Sequence, residues 1–452
     1  MGASFHFEHS IPFSPESATE TLRAIPTLPG VFALNGPHSE DQPYLTRAAD
    51  LRRRITRILA PPDSQSKRLN LRSRVARIDY TITGSEFEST LTLYHASAAI
   101  FGLAEARRRL RLHTPFFLRF TAENVFPRVY STNRLSRRAL AHTYGPFPSR
   151  AAADRYCDAV LDLFKLRRCY EDLAPYPEHP GCVYQEMKKC LAPCNQACTP
   201  EGAAAYSAEA AAVVAFFATH GESLLTQLTA DRERASAEME FERAAQLHAQ
   251  FLRVKAAASL ADELVQPIPN LRTVIVQATS KSVQFEAEPS AAIFLLASGC
   301  ITGPVRLSTL GVRTVKEQAS VGSSLYAQPL MLEAVPLAEE SPSAAPAPGP
   351  ELLATRLIAA LEENSSTPTD LATLSDHLSL LRRWYYRPEK QRAGEVFLPK
   401  AEGSLPKKDA ADKTAWPIRR ILNAAARTAL GEPKPTAEAQ RQPPQTPVEG
   451  VH

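Results

Sequence analysis

Five of the seven cysteines of this 452-residue chain lie in one short segment that is rich in proline and turn residues. Cys169, Cys182, Cys190 and Cys194 are thirteen, eight and four positions apart, and Cys198 follows four positions later. Disulfides, a zinc site, an iron–sulfur site and buried thiols are the alternatives. Zinc modules use two tight ligand pairs, which fits this spacing poorly, whereas four thiolates from an irregular loop can hold a 4Fe–4S cluster. The residues alone leave a metal site and metal-free buried thiols open.

Arginine is the second group of residues that could do chemistry. It is concentrated in "RAADLRRRITRIL", "KRLNLRSRVARI" and "ARRRLRLH", all within the N-terminal quarter of the chain. Guanidinium groups stay charged and bind phosphate in bidentate fashion, so this clustering suits a nucleic-acid backbone. Solvated helix faces are the plainer interpretation. The net charge of +4 does not decide between them.

The composition is that of a globular protein with several domains. Hydrophobic residues make up 44% and charged residues 22% of the chain, which is ordinary. We see no secretory signal and no apolar run of about 20 residues that could span a bilayer. A cytoplasmic protein without membrane contact is therefore expected, and its reduced thiols argue against a disulfide framework.

Hydrophobic periodicity predicts an α+β multidomain fold. The runs "GVFAL", "PYLT" and "VARIDYTIT" read as strands around the helix "AADLRRRITRILA", and a hairpin precedes a helix capped by Ser149. "LSLLRRWYYRPEKQRAGEVFLP" reads as a helix followed by a strand, with Trp384 docking on the protein body; an aromatic platform for DNA stacking is the alternative. The predicted divisions are a small mixed α/β domain (15–112), a cysteine-rich region (113–200), a helical region (201–265), a small β-rich segment (270–335), a linker (339–351), a helical C-terminal region (352–430) and a disordered tail (431–452).

The central motifs resemble UvrC, the incision subunit of bacterial nucleotide excision repair. The stretch "YGPFPSRAAADRYCDAVLDLFKLRRC" and the later "GCVYQEMKKCLAPC" follow the order of that family's central region. "PGCVY" stands where the family has "PCLxY", and Cys198 is additional. In that family the four cysteines are associated with a 4Fe–4S cluster. The resemblance thus implies cluster ligands at Cys169, Cys182, Cys190 and Cys194.

The same resemblance implies a GIY-YIG endonuclease domain at the N-terminus. "LPGVFAL" is similar to the family's "PGVY" strand, and "PYLTRAADLRRRI" is similar to "YIGKAxNLRxRV". On this match Tyr44 is the second family tyrosine, Arg47 takes the lysine place and Arg52 is the catalytic arginine. Phe32 stands at the first tyrosine position and lacks its hydroxyl. Arg53 and Arg54 are expected to bind DNA.

Such a domain cuts a phosphodiester with a divalent metal, Mg²⁺ or Mn²⁺, held by a glutamate. In this chain the glutamate position falls on Leu93 or His95. Glu88 and Glu105 are the nearest carboxylates, and neither aligns cleanly. We therefore expect a degenerate active site.

A third motif, "AEMEFERAAQL", closely matches the UVR motif "AExLEFExAAxLRD". This is the helical hairpin through which UvrC meets UvrB, and it lies in a helical stripe at Arg234–Ala256. His248 and Ala249 replace the motif's Arg-Asp. Packing of the stripe in the protein's own core is the alternative. The resemblance implies contact with a UvrB-like partner through Met239, Phe241, Glu242, Ala245 and Leu247.

The resemblance covers roughly the first 310 residues. Beyond them we find neither an ordered set of aspartates for a second nuclease nor repeated Gly-x-Gly hairpins. The expected function is metal-dependent DNA incision beside lesions, performed with a UvrB-like protein. The alternative is a catalytically inactive DNA-binding adaptor of repair.

Overall fold

The computed structural model describes residues 5–38, 40–61, 69–280, 288–312, 349–365, 370–388, 391–399 and 416–432. These residues form three four-stranded antiparallel sheets and the helices that pack on them. The predicted mixture of α and β structure is confirmed. Its division into domains differs from the prediction at several boundaries.

The N-terminal sheet has the strand order β1-β4-β2-β3. Its strands are β1 (His9–Pro12), β2 (Gly30–Asn35), β3 (Tyr44–Ala48) and β4 (Arg77–Ile82), and helices α1 (Ala18–Ala24) and α2 (Leu51–Leu59) accompany them. Helix α2 begins at Asp50, whose carboxylate accepts a hydrogen bond from the Arg53 backbone N–H. The predicted apolar face of α2, Leu51, Ile55 and Ile58, is buried in the core beneath this sheet.

The predicted helical stretch from Glu86 onward is two helices, α3 (Glu86–Phe101) and α4 (Leu103–Leu110), with Gly102 between them at φ 83°. Their buried side chains, among them Phe87 and Tyr94, share a core with the third sheet of the protein, beyond residue 270. The backbone comes so close at Gly84 that a Cβ there would lie 2.3 Å from the Ala278 carbonyl oxygen. The predicted boundary at 112 therefore does not separate an independent N-terminal domain.

The middle sheet, in the order β6-β5-β7-β8, holds the cysteine-rich region on its helical side. Its strands are β5 (Phe116–Phe120), β6 (Val129–Thr132), β7 (Thr143–Phe147) and β8 (Gln266–Pro267), followed by helices α5 (Arg150–Leu163), α6 (Val183–Glu186) and α7 (Pro193–Gln196). The predicted hairpin is confirmed by the pairing of β5 with β6. Ser149 caps α5 as predicted, since its hydroxyl accepts a hydrogen bond from the Ala152 backbone N–H.

Three helices follow: α8 (Pro200–Ala218), α9 (Glu222–Ala237) and α10 (Phe241–Ala258). The last two form an antiparallel hairpin. The stripe predicted at Arg234–Ala256 is interrupted between them, and Met239 lies in the turn at φ 61°. Buried residues of α8–α10, such as Phe216 and Val254, join the core of the middle sheet.

The third sheet, in the order β11-β10-β9-β12, joins two regions predicted to be separate. It consists of β9 (Thr273–Ala278), β10 (Ser290–Ala297), β11 (Cys300–Ser308) and β12 (Glu395–Phe397), with helices α11 (Pro350–Glu363), α12 (Leu371–Tyr385) and α13 (Ile418–Leu430). Strand β12 pairs with β9, placing Val396 opposite Ile275. Helices α11 and α13 cover one face, and α12 covers the other together with α3. The β-rich segment and the C-terminal helices are thus one unit.

The predicted linker lies outside the described residues up to position 348, and its last two residues already belong to α11. Residues 433–452 of the predicted tail also lie outside them. Trp384 is buried and packs on Phe87 with ring centroids 5.0 Å apart, so its predicted docking on the protein body is confirmed. Among the described residues, no helix taken singly has both the length and the apolar composition of a membrane span; α8 and α9 meet that test only as a pair bent by 109°.

Candidate nucleic-acid site and cysteine loop

Four arginines meet at the start of α2. Arg47 of β3 and Arg53, Arg54 and Arg57 of α2 line a cavity of about 540 Å³. The carboxylate in its lining, Asp50, is engaged in capping α2. The partial positive charge of the helix N-terminus adds to that of the guanidinium groups. The cavity is therefore suited to an anionic ligand.

The other predicted catalytic residues divide between this cavity and the interior of the N-terminal domain. Phe32 is fully buried in the core of the N-terminal sheet, with its ring centroid 6.3 Å from that of Tyr44. Arg52 donates from Nε to the Ile25 carbonyl oxygen at 2.6 Å, so it braces the chain before β2. The Tyr44 hydroxyl accepts from Arg54 Nη2 at 3.4 Å. Tyr44 thus lies beside Arg54 at this arginine-lined cavity, which we call the arginine groove. Phe32 packs in the core, and Arg52 is bonded to the backbone.

A second cavity, of about 560 Å³, continues from Arg47 to the start of α3, where Gly84, Ser85 and Glu86 line it. Glu86 Oε1 accepts from Arg47 Nη2 at 2.9 Å. Arg387, just beyond α12, donates to both carboxylate oxygens of Glu86, at 2.6 and 3.1 Å. The two hydrogen bonds from Arg387 and the one from Arg47 lower the pKa of Glu86 to about 2. Sequence reasoning missed Glu86 and Arg387, because no local signal links residues 301 positions apart.

The two carboxylates considered as metal ligands are engaged in other contacts. Glu88 Oε2 accepts from the Gly84 backbone N–H at 2.8 Å, and burial raises the pKa of Glu88 to about 7. Glu88 N–H in turn donates to Ser85 Oγ, so Glu88 belongs to the N-terminal cap of α3. Glu105 is half-buried and bonded to Arg108 and Arg109.

The positions that correspond to the family glutamate do not supply a carboxylate. Leu93 and His95 lie on α3, and the His95 ring lies 5.7 Å from that of His377 in a largely buried seam against α12. Within the described part of the chain, no three His, Cys, Asp or Glu side chains are arranged as a metal site. The carboxylates in the described lining of the two cavities are those of Asp50 and Glu86, and both are engaged in other contacts.

The cysteine loop brings its four predicted ligands into one neighbourhood without bringing three of them to a common point. Cys190 and Cys194 are buried, Cys169 is half-buried and Cys182 is exposed, all as free thiols. Burial, and then the charges of the other three thiols, raises the pKa of Cys190 to about 11. The Ala192 N–H donates to Cys190 Sγ at 3.2 Å. The loop is therefore a set of neighbouring free thiols, of which Cys190 and Cys194 are buried.

Backbone contacts fix this loop to the middle sheet. Arg167 is buried and donates to the carbonyl oxygens of Phe126 and Glu171. The Leu191 N–H donates to Lys165 O, and the Tyr176 N–H donates to Cys194 O. The irregular chain between α5 and α8 is thus anchored where its cysteines lie.

The hairpin of α9 and α10 presents most of its predicted partner residues to solvent. Met239 is 76% and Phe241 68% exposed, which is unusual for large apolar side chains. Glu242 and Ala245 are exposed as well. Leu247 differs from the prediction, since it packs against the middle core. The tip of the hairpin and the first turn of α10 therefore carry the exposed members of the predicted set.

Comparison with known proteins agrees with this geometry. The family described as the UvrC/Cho excinuclease middle domain matches residues 116–216, and the UvrB/UvrC motif matches 222–257. These ranges are the middle sheet with its cysteine loop and the α9–α10 hairpin. The N-terminal groove lies outside both. The architecture is that of a protein built around a UvrC-type middle domain followed by a UVR hairpin.

Curated relatives extend the match. The chain is 29% identical over 210 residues to the UvrABC system protein C of Pseudomonas syringae, which covers 46% of this chain and 33% of the relative. The proteins of that name from Idiomarina loihiensis and Desulforudis audaxviator are 26% and 27% identical, over 52% of this chain and 37% of each relative. The chain thus spans little more than a third of these relatives. No solved structure matches it. The central region of the chain, from the middle sheet to the α9–α10 hairpin, is thus of the UvrC type.

Proposed function

We propose that this protein serves DNA repair as a non-cutting member of its family, which binds DNA in the arginine groove and a UvrB-like protein through the hairpin. The observation that carries the proposal is the pairing of an arginine-lined cavity with carboxylates that are all engaged. Glu86 is held by two arginines, Glu88 caps α3, and Glu105 is bonded to its helix neighbours. The groove can therefore bind phosphate through its arginines while these three carboxylates remain occupied by other contacts.

The groove has the chemistry of a phosphate-binding surface. Arg53 and Arg57 are exposed, and Arg47 and Arg54 stand beside them. Each guanidinium placed on a phosphate releases counterions, which makes the affinity fall steeply with salt. Base-edge contacts are not required, so the binding would depend little on sequence.

In the described part of this groove, the side chains that hydrolysis would use are engaged in other contacts, which argues against incision. In-line attack by water uses a metal on a carboxylate and a general base. Phe32 offers no hydroxyl, and Arg52 is directed to the Ile25 carbonyl oxygen. A free carboxylate at the groove would require Asp50 to leave the N-terminus of α2, or Glu86 to leave both Arg47 and Arg387.

The cysteine loop is proposed to hold a 4Fe–4S cluster through Cys169, Cys182, Cys190 and Cys194. Support comes from the free state of the four thiols, the effect of the other three on the Cys190 thiol, and the burial of Cys190 and Cys194. A cluster would bind them as thiolates and fix the loop in position. Anaerobic purification with iron and sulfide analysis tests this. Cys190→Ser should lose the iron and Cys198→Ser should keep it, whereas iron-free wild-type protein would refute the cluster.

The proposed partner contact rests on the exposed hairpin tip. Met239 and Phe241 are apolar groups on a surface flanked by Glu242, and nothing else in the described structure covers them. A matching helical hairpin on a UvrB-like protein would bury this surface. The loss of Arg-Asp at His248 and Ala249 alters the charges beside it.

One experiment separates binding from cutting. A supercoiled plasmid, damaged by ultraviolet light, is incubated with the protein, UvrA, UvrB and Mg²⁺, and DNA binding is measured in parallel. We expect salt-sensitive binding, weakened several-fold in the doubly substituted Arg53→Ala/Arg54→Ala protein, with no nicks beyond the background. Nicks that require both Mg²⁺ and Arg47 would overturn the non-cutting assignment, and absence of DNA binding would overturn the whole proposal.

A further inference from the structure

The DNA groove does not end at the N-terminal sheet. The cavity lined by Arg53, Arg54 and Arg57 shares Arg47, Ala48 and Ala49 with the second cavity at the start of α3. That cavity shares Glu86 with a small third one, which is lined on its far side by Arg383 and Arg387. Three adjoining depressions therefore form one trough from α2 to the end of α12.

We propose that Arg387 is a phosphate-binding residue that the C-terminal region supplies to the DNA groove. Arg383 lines the same part of the trough, and Glu86 holds Arg387 beside Arg47. This inference rests on the proposed DNA binding and extends it. It assigns a ligand contact to a part of the chain far from the arginine-rich N-terminal motifs.

Glu86 acts here as a positioning residue. Its carboxylate receives Arg387 through two hydrogen bonds and Arg47 through one, and Arg47 Nη1 also donates to Thr90 Oγ1. One negative charge thus orders two guanidinium groups and leaves a net positive charge. Each guanidinium has five N–H donors, so both keep donors for a phosphate oxygen. The Arg387 side chain remains 29% exposed and that of Arg47 39%, which leaves them open to a ligand.

The end of α12 is held rigidly, so the position of Arg387 is defined. Trp384 is buried against Phe87 at the start of α3. Tyr386 OH donates to Pro146 O at 3.0 Å, and Arg382 Nη1 donates to Pro148 O at 2.9 Å. Arg383 donates to the carbonyl oxygens of Leu110 and Arg111. The helix end is therefore tied to α3, α4 and the middle sheet at once.

The local charge is positive despite Glu86. Arg382, Arg387 and Arg47 all lie near enough to Arg383 to lower its pKa, after the larger effect of burial. Such a cluster of guanidinium groups is electrostatically unfavourable unless an anion accompanies it. A DNA phosphate beside Arg47 and Arg387 would supply that anion.

The test is the affinity of the full chain for a fluorescein-labelled DNA duplex, measured by anisotropy at several salt concentrations. Arg387→Ala should raise Kd several-fold and reduce the slope of log K against log salt by about 0.9, the value for one lost phosphate contact. Arg419→Ala is the matched control. Arg419 of α13 also pairs with a carboxylate, that of Glu351 on α11, but it does not line the trough. It should leave both quantities unchanged.

The outcomes separate the two proposals. If the wild-type chain binds DNA and Arg387→Ala binds with the same Kd and slope, the inference on Arg387 fails while DNA binding stands. Equal losses in Arg387→Ala and Arg419→Ala would also refute it, since net charge alone would then act. If the wild-type chain does not bind the duplex at all, the proposed function itself fails.

A second measurement avoids any dependence on the folding of a variant. The wild-type chain is treated with phenylglyoxal with and without DNA, and modified arginines are located by mass spectrometry. DNA should protect Arg387 and Arg53 but not Arg419. Unchanged modification of Arg387, with Arg53 protected, would overturn the inference and leave the N-terminal groove as the binding site.

Discussion

The carboxylate of Glu88, at the start of α3, could serve as a helix cap or as a metal ligand, and one substitution distinguishes the two roles. The change is Glu88→Gln, which keeps the size of the side chain and an oxygen that can accept from the Gly84 N–H, now 2.8 Å from Oε2. It removes the negative charge alone. The Ser85 side of the cap, where Ser85 Oγ accepts from the residue 88 N–H, is unaffected.

The magnitude follows from the pKa. Burial raises the pKa of Glu88 from its ordinary value of 4.5 to about 7. A difference of about 2.5 corresponds to about 3.5 kcal/mol at full ionisation, at about 1.4 kcal/mol for each pKa unit. Because water reaches part of this side chain, we expect about 1–2 kcal/mol in practice.

The direction of the stability change follows from proton binding, because the folded state binds the Glu88 proton more tightly than the unfolded state does. Ionisation of Glu88 therefore weakens the folded state as the pH rises from 4.5 through 7, and the effect is complete above pH 7. Glu88→Gln should be more stable than the wild type at pH 8 by about 1–2 kcal/mol and equal to it below pH 4.5. Urea unfolding followed by circular dichroism at both pH values measures the difference.

The control is Glu105→Gln, which changes a half-buried carboxylate that is bonded to Arg108 and Arg109. It should bring no gain at pH 8. A metal ligand would behave differently: Mg²⁺ would stabilise the wild type and not Glu88→Gln, and the variant would lose stability at pH 8. That pattern would refute the assignment of Glu88 as a helix cap.

Three further predictions concern other parts of the chain. Burial lowers the pKa of His377 to about 3, so its contribution to stability is present above about pH 6.5 and is lost as the pH falls. The free energy of unfolding in urea titrations should fall by about 1.4 kcal/mol for each pH unit between pH 6.5 and 5, and this fall should flatten in His377→Gln. Phe241→Ala should weaken binding to a UvrB-like protein at least tenfold by calorimetry, an effect of about 1.4 kcal/mol, with an unchanged melting temperature, whereas Leu252→Ala, exposed farther along α10, should bind normally. Ser149→Ala should lower the free energy of unfolding by about 1 kcal/mol in urea titrations, because the Ala152 N–H loses its acceptor; an unchanged midpoint would contradict the cap.

Local patterns were sufficient for most individual elements. The apolar spacing of Leu51, Ile55 and Ile58 predicts the buried face of α2, and Ser149 predicts the start of α5, because both depend on contacts within one or two helical turns. The cysteine spacing and the UVR motif identify the central region that the family comparisons match. The break at Met239 is also short-ranged, but a left-handed residue other than glycine has no reliable sequence signal.

The sequence by itself determined the elements, the central UvrC-type region and the concentration of arginine that suits DNA. Only the tertiary structure decided that β12 completes the sheet of β9–β11, that Arg52 braces the backbone, and that Glu86 is shared between Arg47 and Arg387. The physical reason is distance along the chain. Periodicity and capping reflect interactions between near neighbours, whereas the charge of a carboxylate and its availability to a metal depend on whichever distant side chains the packing of helices and sheets brings beside it.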